Sequence, residues 1–345
     1  MEPIKFISPS KFAYWEKCPI KAIYGKTYTD LTFFPKHPDA DLGTILHYFL
    51  EKKKELQIKS INDFEEIWLE KIIRLEKEYL NNKLQKVYYP IKWHAKYFSV
   101  KKILLRNEIL KHKNPPKSAK KAKGEITEKW IDDGEDIGGI PDKFILNDSG
   151  KIIKIIDYKT GNIFEFINKK KVLKETYVKQ LLLYAYIIKS KQNEYPICYI
   201  QDLHGNNHEV KIDENLLNET YARAVELKNK INKAIQTRNY EPLANPDFNN
   251  CHNCEYRPVC SAYKNNFINN FENKKVDVFG EIIDIKGSEK IEIKLKITEK
   301  ELVLKGILSQ ENVSIGDNVY IYNLFCPDGA SSILYAIKET LIRNE

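Results

Sequence analysis

The sequence predicts an α/β core that carries a helical insertion and is followed by a small, OB-like C-terminal β-barrel. Three observations predict it. Phe64, Trp68, Ile72, Leu75 and Tyr79 recur at three- and four-residue spacing, the signature of a helix with one buried face. From Gly124 the apolar period changes to two, in EITEKWI, IGGIPDKFIL and KIIKIIDYK, which read as three antiparallel strands joined by Asp/Gly-rich turns. Beyond about Asn273, five short apolar segments punctuated by Gly, Asn and Asp follow one another closely, as in a small barrel.

Taken in order, Ser8-Pro9-Ser10 is helix-start chemistry ahead of an amphipathic run through Phe12, Trp15 and Cys18. DLGTILHYFLEKKKEL is the next helix. Its Gly43 and His47 are four apart and share a face, and Gly43 lets another backbone approach closely. Asp63 is read as an N-cap, with Glu66 three residues on as in a capping box. A second apolar stripe, Trp93, Tyr97, Val100 and Leu104, predicts another helix with a buried face. Residues 111–123 form a Pro-broken loop with six lysines, either a solvated linker or a phosphate-contacting loop. After the three strands come the helix YVKQLLLYAYIIKS, a hairpin around Gly205-Asn206, and a long helix from about Asp213 to Thr237 striped by Leu217, Tyr221, Ala224, Ile231 and Ile235.

Composition narrows the class less. The chain has 345 residues, 42% of them hydrophobic, too apolar for a disordered chain and long enough for about two domains. Lys and Arg outnumber Asp and Glu by 56 to 48, for a formal charge of +8, a weak pointer to a polyanionic partner because only six of those basic residues are Arg. No apolar run approaches the ~18 residues that span a bilayer, and the N-terminus lacks a signal-peptide core, so a cytoplasmic protein without a membrane partner is expected. In that setting, clustered cysteines point to metal rather than disulfides.

The chemistry concentrates around Gly139-Ile140-Pro141-Asp142 and Asp157-Tyr158-Lys159. Residues two apart in a strand point the same way, so Asp157 and Lys159 share a face, and Asp142 on the neighbouring strand can stand beside Asp157. Two adjacent carboxylates repel unless a cation sits between them, and hard oxygen ligands suit Mg²⁺ or Mn²⁺. A lysine there can stabilise developing negative charge. Thr160-Gly161 makes a sharp strand exit, and Gln180 and Tyr184 lie four apart on one helix face.

DLGTILH, GGIPD, IIDYKTG and QLLLY, in this order, resemble the RecB-type exonuclease branch of the PD-(D/E)XK nuclease superfamily over roughly residues 8–262. The resemblance implies a restriction-endonuclease-like core as a domain of residues 1–272, with the helical insertion at about 48–123 and the barrel at 273–345. It implies that His47, Asp142, Asp157 and the Tyr158 carbonyl bind Mg²⁺ or Mn²⁺, that Lys159 is the catalytic lysine, and that Gln180 and Tyr184 shape the active site and the strand path. Family members often carry Glu where Asp157 stands. Glu128 is a candidate addition to the acidic site.

Cys251-x2-Cys254-x5-Cys260 fits either zinc or an iron–sulfur cluster by spacing alone. With Cys18-Pro19, the pattern is similar to the four-cysteine subgroup, which includes AddB-type helicase–nucleases and CRISPR-associated exonucleases. That similarity implies that Cys18, Cys251, Cys254 and Cys260 hold a structural [4Fe–4S] cluster. Closing so long a loop is worth several kcal/mol, on the order of a long-loop disulfide. Arg257-Pro258 is a candidate strand contact, while Cys198 and Cys326 read as ordinary buried residues. Tyr320, Tyr322, Phe325 and Tyr335 are candidates for base stacking on the barrel, which could equally dock a helicase or other protein. The expected function is a metal-dependent DNA exonuclease acting on single strands or DNA ends, in repair, CRISPR adaptation or defence. The alternative is a non-catalytic nucleic-acid-binding or scaffold subunit of a helicase–nuclease complex. No GxxxxGK[ST] phosphate loop is present, so ATP-driven unwinding would come from a partner.

Overall fold

The computed structural model describes residues 1–111, 124–298, 300–308, 313–327 and 332–345. The basic stretch 111–123 falls outside them except for Lys111. The chain divides into two compact units, Met1–Lys26 with Lys36–Leu243, and Thr27–Pro35 with Ala244–Glu345. The second unit takes in the cysteine-bearing segment, whereas sequence texture alone sets the break near 273.

The first unit opens with α1 (Pro9–Lys17) and α2 (Ile20–Thr27), then α3 (Pro38–Glu51), α4 (Ile61–Asn81) and α5 (Phe98–Leu110). α4 buries Phe64, Trp68, Ile72 and Tyr79, as the spacing predicts. Its capping box differs: Ser60 is the cap, accepting from the Asp63 N–H while the Asp63 carboxylate accepts from the Ser60 N–H. The expected stripe at 93–104 does not form. Trp93 and Tyr97 are 74% and 75% exposed, and Val100 is exposed too. Tyr97 takes a left-handed φ of 57° immediately before α5, so the apparent four-residue period runs across a break in the helix. α5 buries Leu105, Glu108 and Ile109 instead.

The strands follow: β1 (Gly124–Thr127), β2 (Ile131–Asp132), β3 (Gly138–Gly139), β4 (Lys143–Leu146), β5 (Ile152–Lys159), β6 (Phe164–Ile167) and β7 (Lys170–Leu173). After them come α6 (Glu175–Gln192), β8 (Ile197–Asp202), β9 (Asn207–Val210) and α7 (Glu214–Thr237). The main sheet has the order β1-β4-β5-β8-β9, with β5 and β8 parallel and the other neighbours antiparallel. EITEKWI and IGGIPDKFIL are each broken into two short strands. Pro141 has no N–H for the ladder, and Glu128 has a positive φ of 50°. β2 and β3 therefore pair with each other, outside the main sheet. One sheet face, with Ile156 and Tyr158 of β5, packs into a core shared with α3, α4 and α5. The other face meets α6, which in turn packs against α1 and α7. A helix buried between sheet and helices is apolar nearly all round, which is why Leu181–Ala185 and Ile187–Ile188 read as a continuous run. No helix among the described residues is long and apolar enough to cross a membrane.

The second unit holds the short helices α8 (Phe248–Cys251) and α9 (Ser261–Phe267) and five strands: β10 (Lys275–Lys286), β11 (Lys290–Ile297), β12 (Lys300–Leu308), β13 (Asn318–Phe325) and β14 (Ile333–Asn344). They close a barrel in the order β10-β11-β12-β14-β13, with β12 and β14 parallel. β11 shows the alternation a barrel needs: Ile291, Ile293, Leu295 and Ile297 point inward. Cys326 is fully buried in this core.

The Arg257 side chain, a candidate strand contact by sequence, is turned into the protein interior. It is 4% exposed, paired with the 2%-exposed Asp277 at 2.8 Å, and donates to Asn323 Oδ1 at 2.7 Å and to the Cys254 carbonyl at 3.1 Å. Tyr263 Oη and the Asn323 N–H donate to the same Asp277 carboxylate, and Phe34 lies under the guanidinium. A buried ion pair survives only when its remaining donors and acceptors are also satisfied, and here they are. Of the four barrel aromatics, Tyr322 is core and Tyr320 stacks on it, while Phe325 and Tyr335 are exposed and directly opposite each other.

Candidate active site

The site forms where β5 leaves the sheet. Strand alternation sends Tyr158 into the apolar core and turns Asp157 and Lys159 the other way, toward α6. Asp157 is 1% exposed. Gln180 of α6 spans the pair: its Nε2 donates to Asp157 Oδ1 at 2.8 Å, and its Oε1 accepts from Lys159 Nζ at 3.2 Å. Lys159 Nζ also stands 2.6 Å from Asp157 Oδ2, an ion pair that compensates this buried oxygen. The same ammonium lies 4.9 Å from the Tyr177 ring centroid.

Asp142 arrives from the interrupted strand. Its Oδ2 accepts the Tyr158 backbone N–H at 2.6 Å. The approach depends on small residues upstream: a Cβ on Gly139 would come 2.9 Å from Pro9 Cδ and 3.2 Å from Tyr184 Oη. Tyr184 is buried and donates to the Ile140 carbonyl at 2.9 Å. It therefore holds the backbone that carries Asp142. α3 brings His47, whose Nδ1 lies 3.9 Å from Asp142 Oδ2 and 3.6 Å from Glu51 Oε1. What comes near Gly43 is the Thr160 hydroxyl, at 3.4 Å from the position of a Cβ, rather than another backbone.

Among the described residues, the group of His, Cys, Asp and Glu with metal-ligand spacing is His47, Glu51 and Asp142, whose ligand atoms all lie within 4.8 Å of one another. The cysteines contribute to no such group there. Glu51 is the residue that the sequence reading missed, although its signal is plain: it stands four residues after His47 on one helix face. Glu128 does not join the site; its carboxylate is exposed and lies near Lys52.

Among the described residues, three carboxylates, Glu51, Asp142 and Asp157, thus share the site with one permanent cation, Lys159. Burial, then the neighbouring Asp157, pushes the Asp142 carboxyl up to about 7. Burial also raises Asp157, against the pull of Lys159. Burial works against a charged His47, but Glu51 and Asp142 outweigh it and raise its pKa. Protons held tightly in an acidic, partly buried site are what a divalent cation would replace, and the donor set of imidazole and carboxylates fits it.

A family model of the PD-(D/E)XK nuclease superfamily matches residues 7–261, well over half of the chain. The chain belongs to the PD-(D/E)XK nuclease superfamily. The matched span contains each residue of the site described above. No curated protein matches the chain. Among solved structures, a protein from Eubacterium rectale provisionally named an exonuclease is similar at 12% identity, covering 76% of this chain and 88% of its own, with a TM-score of 0.41. The tetrameric p202 HIN2 structure is similar at 16% identity over 21% of this chain, with a TM-score of 0.19; the match spans 41% of that chain. At these scores neither likeness establishes a function for this PD-(D/E)XK protein.

Proposed function

We propose that the protein is a Mg²⁺- or Mn²⁺-dependent deoxyribonuclease that removes nucleotides from single strands or frayed DNA ends. One observation carries the reading: a buried carboxylate, Asp157, and a half-buried one, Asp142, stand beside a lysine held in place by Gln180. His47, Glu51, Asp142 and Asp157, with the Tyr158 carbonyl, would hold the cation. Once bound, the cation would polarise the phosphoryl oxygen and lower the pKa of a water. The chain's own residues then divide the remaining work. Lys159 presents a fixed positive charge where negative charge develops on the phosphate, and Gln180 limits its motion by accepting from Nζ. Tyr184 and the Tyr158 N–H aim Asp142, and Glu51 orients His47. The full complement of groups favours catalysis over a binding-only role.

The test is digestion of end-labelled single strands of both polarities. Shortening from one end is expected with Mg²⁺ or Mn²⁺ and none with EDTA; no cleavage under any divalent cation would refute the proposal. The pH dependence follows from Asp142. Its folded pKa of about 7 lies above the unfolded value, so its contribution to apo stability is full below about pH 4 and lost as pH rises through about 7. A cation must displace that proton, and those that His47 and Asp157 also hold more tightly than usual, so Mn²⁺ affinity, read as thermal stabilisation, should rise at least about tenfold per pH unit below about 7. Asp142→Asn should lower the slope by about one proton and leave the part that His47 and Asp157 contribute; a pH-independent affinity in the wild type would refute Asp142 as a ligand.

We further propose that Cys18, Cys251, Cys254 and Cys260 ligate a [4Fe–4S] cluster with a structural role. The spacing and the soft thiolate donors support it. The other two cysteines are committed elsewhere: Cys326 packs in the barrel core, and Cys198 lies in β8 with its thiol pushed up to about 12 by burial. Anaerobically purified protein should be brown with a broad visible band that Cys251→Ala removes. A colourless protein with stoichiometric zinc would exclude the cluster.

A further inference from the structure

Directly after the catalytic strand, the chain builds a two-stranded hairpin that nothing in the active site requires. β6 and β7 pair from Phe164↔Leu173 to Ile167↔Lys170, closed by Asn168 and Lys169, both at positive φ (49° and 64°). Two consecutive left-handed residues give the tight turn that matches strand twist. The tip is unusual chemically. Phe166 is 75% exposed and Ile167 is exposed beside Lys169, Lys170 and Lys171. Among the described residues, none of these three lysines is paired with a carboxylate. The hairpin's one acid, Glu165, is turned back to accept the Glu175 N–H at the start of α6.

The aromatic groups form a line. Phe164 and Phe166 are two apart and share a face with Lys171, which stands opposite Phe166 and places its Nζ 3.9 Å from the Phe164 ring centroid. Phe164 meets His208 edge-on at 5.3 Å, and His208 is bonded to Asp202 at 2.9 Å. Asp202 stands in register beside Lys159 across the parallel β5–β8 pair. At the other side of Lys159, the Tyr177 ring carries Lys159 at 4.9 Å and Lys174 at 5.8 Å. Rings alternating with cations, one end exposed and the other at Lys159, are complementary to a strand with free bases and a phosphate backbone. A protein or a duplex would not be expected to need both features.

We propose that the β6–β7 hairpin is a stacking rail for single-stranded DNA, with Phe166 stacking on a base of the incoming strand while Lys170 and Lys171 hold its phosphates. The proposal deepens the nuclease reading and rests on it for the direction of the strand, but its test does not need turnover. The full-length protein is titrated in EDTA against fluorescein-labelled oligothymidylate, followed by anisotropy, with a blunt duplex in parallel. Phe166→Ala should weaken oligothymidylate binding about tenfold, the loss of one stacked base, and the duplex much less. Phe166→Trp should restore binding and add an emission that the oligonucleotide quenches. Lys170→Ala with Lys171→Ala should lower the magnitude of the log–log salt slope by roughly 1.4. Unchanged binding by Phe166→Ala, or equal losses for single strand and duplex, would overturn the proposal. If wild type binds as described but cuts nothing with any divalent cation, the rail stands and the nuclease reading falls.

Discussion

Lys159→Ala is expected to lose at least roughly 10²–10³-fold of metal-dependent cleavage while remaining folded. The argument for the first half is position. Among the described residues, Lys159 Nζ is the one permanent positive charge of the site, and Gln180 and Asp157 hold it where a phosphate would lie against the carboxylates. A fixed charge in a water-poor site is worth far more to a transition state than the same charge in solvent, because it needs no reorganisation when the reaction occurs. The second half rests on protonation. Removing the ammonium leaves Asp157 buried without its counter-charge, but its pKa is already raised, and it can take up a proton rather than persist as a bare anion. The stability cost should therefore grow as pH rises and that proton becomes harder to keep. Single-turnover digestion, paired with circular dichroism of the same preparation, is the measurement. Cleavage by the folded variant within a few fold of wild type would show that Lys159 is not catalytic.

Arg257→Leu should produce the largest stability loss of any single substitution considered. The guanidinium is buried, paired with a buried Asp277, and its other donors go to Asn323 and the Cys254 carbonyl. Removing one member of such a pair leaves an uncompensated charge in the interior and costs about 3–5 kcal/mol. For a unit of this size that corresponds to a fall on the order of 10–20 °C in melting temperature. Arg257→Lys should recover only part of it, since one ammonium cannot serve three acceptors in the geometry of a guanidinium fork. Thermal unfolding followed by near-ultraviolet circular dichroism would report it. Wild-type melting in Arg257→Leu would mean the network is decorative. The consequence reaches the cysteine segment: the Arg257 side chain binds the Cys254 carbonyl and two barrel residues, so the loop that carries the cysteines and strands β10 and β13 are held by one group.

The comparison of sequence with structure sorts by distance along the chain. Local signals are legible. The β5 triplet announces itself as Asp157-Tyr158-Lys159 because strand alternation is a two-residue rule, and α4 shows its buried face because helical periodicity is a four-residue one. Glu51 is equally legible, one helical turn beyond His47. The stripe at Trp93 and Tyr97 failed. It is periodic in sequence, but a left-handed residue at 97 breaks the helix that the period assumes. The hairpin β6–β7 was invisible because its turn uses Asn-Lys instead of a glycine pair.

The sequence by itself determined which residue types reach each face of β5 and that a second, all-β segment follows the core. It also determined that Gln180 and Tyr184 share a helix face. Only the tertiary structure decided their roles. Gln180 meets the carboxylate and Tyr184 meets a backbone carbonyl, because α6 packs across the sheet at one particular height. Likewise Arg257, an exposed-looking basic residue beside a cysteine, became the buried partner of Asp277 some twenty positions away. Burial of a charge depends on what the rest of the chain brings around it, and that is a property of long-range packing that local pattern does not carry.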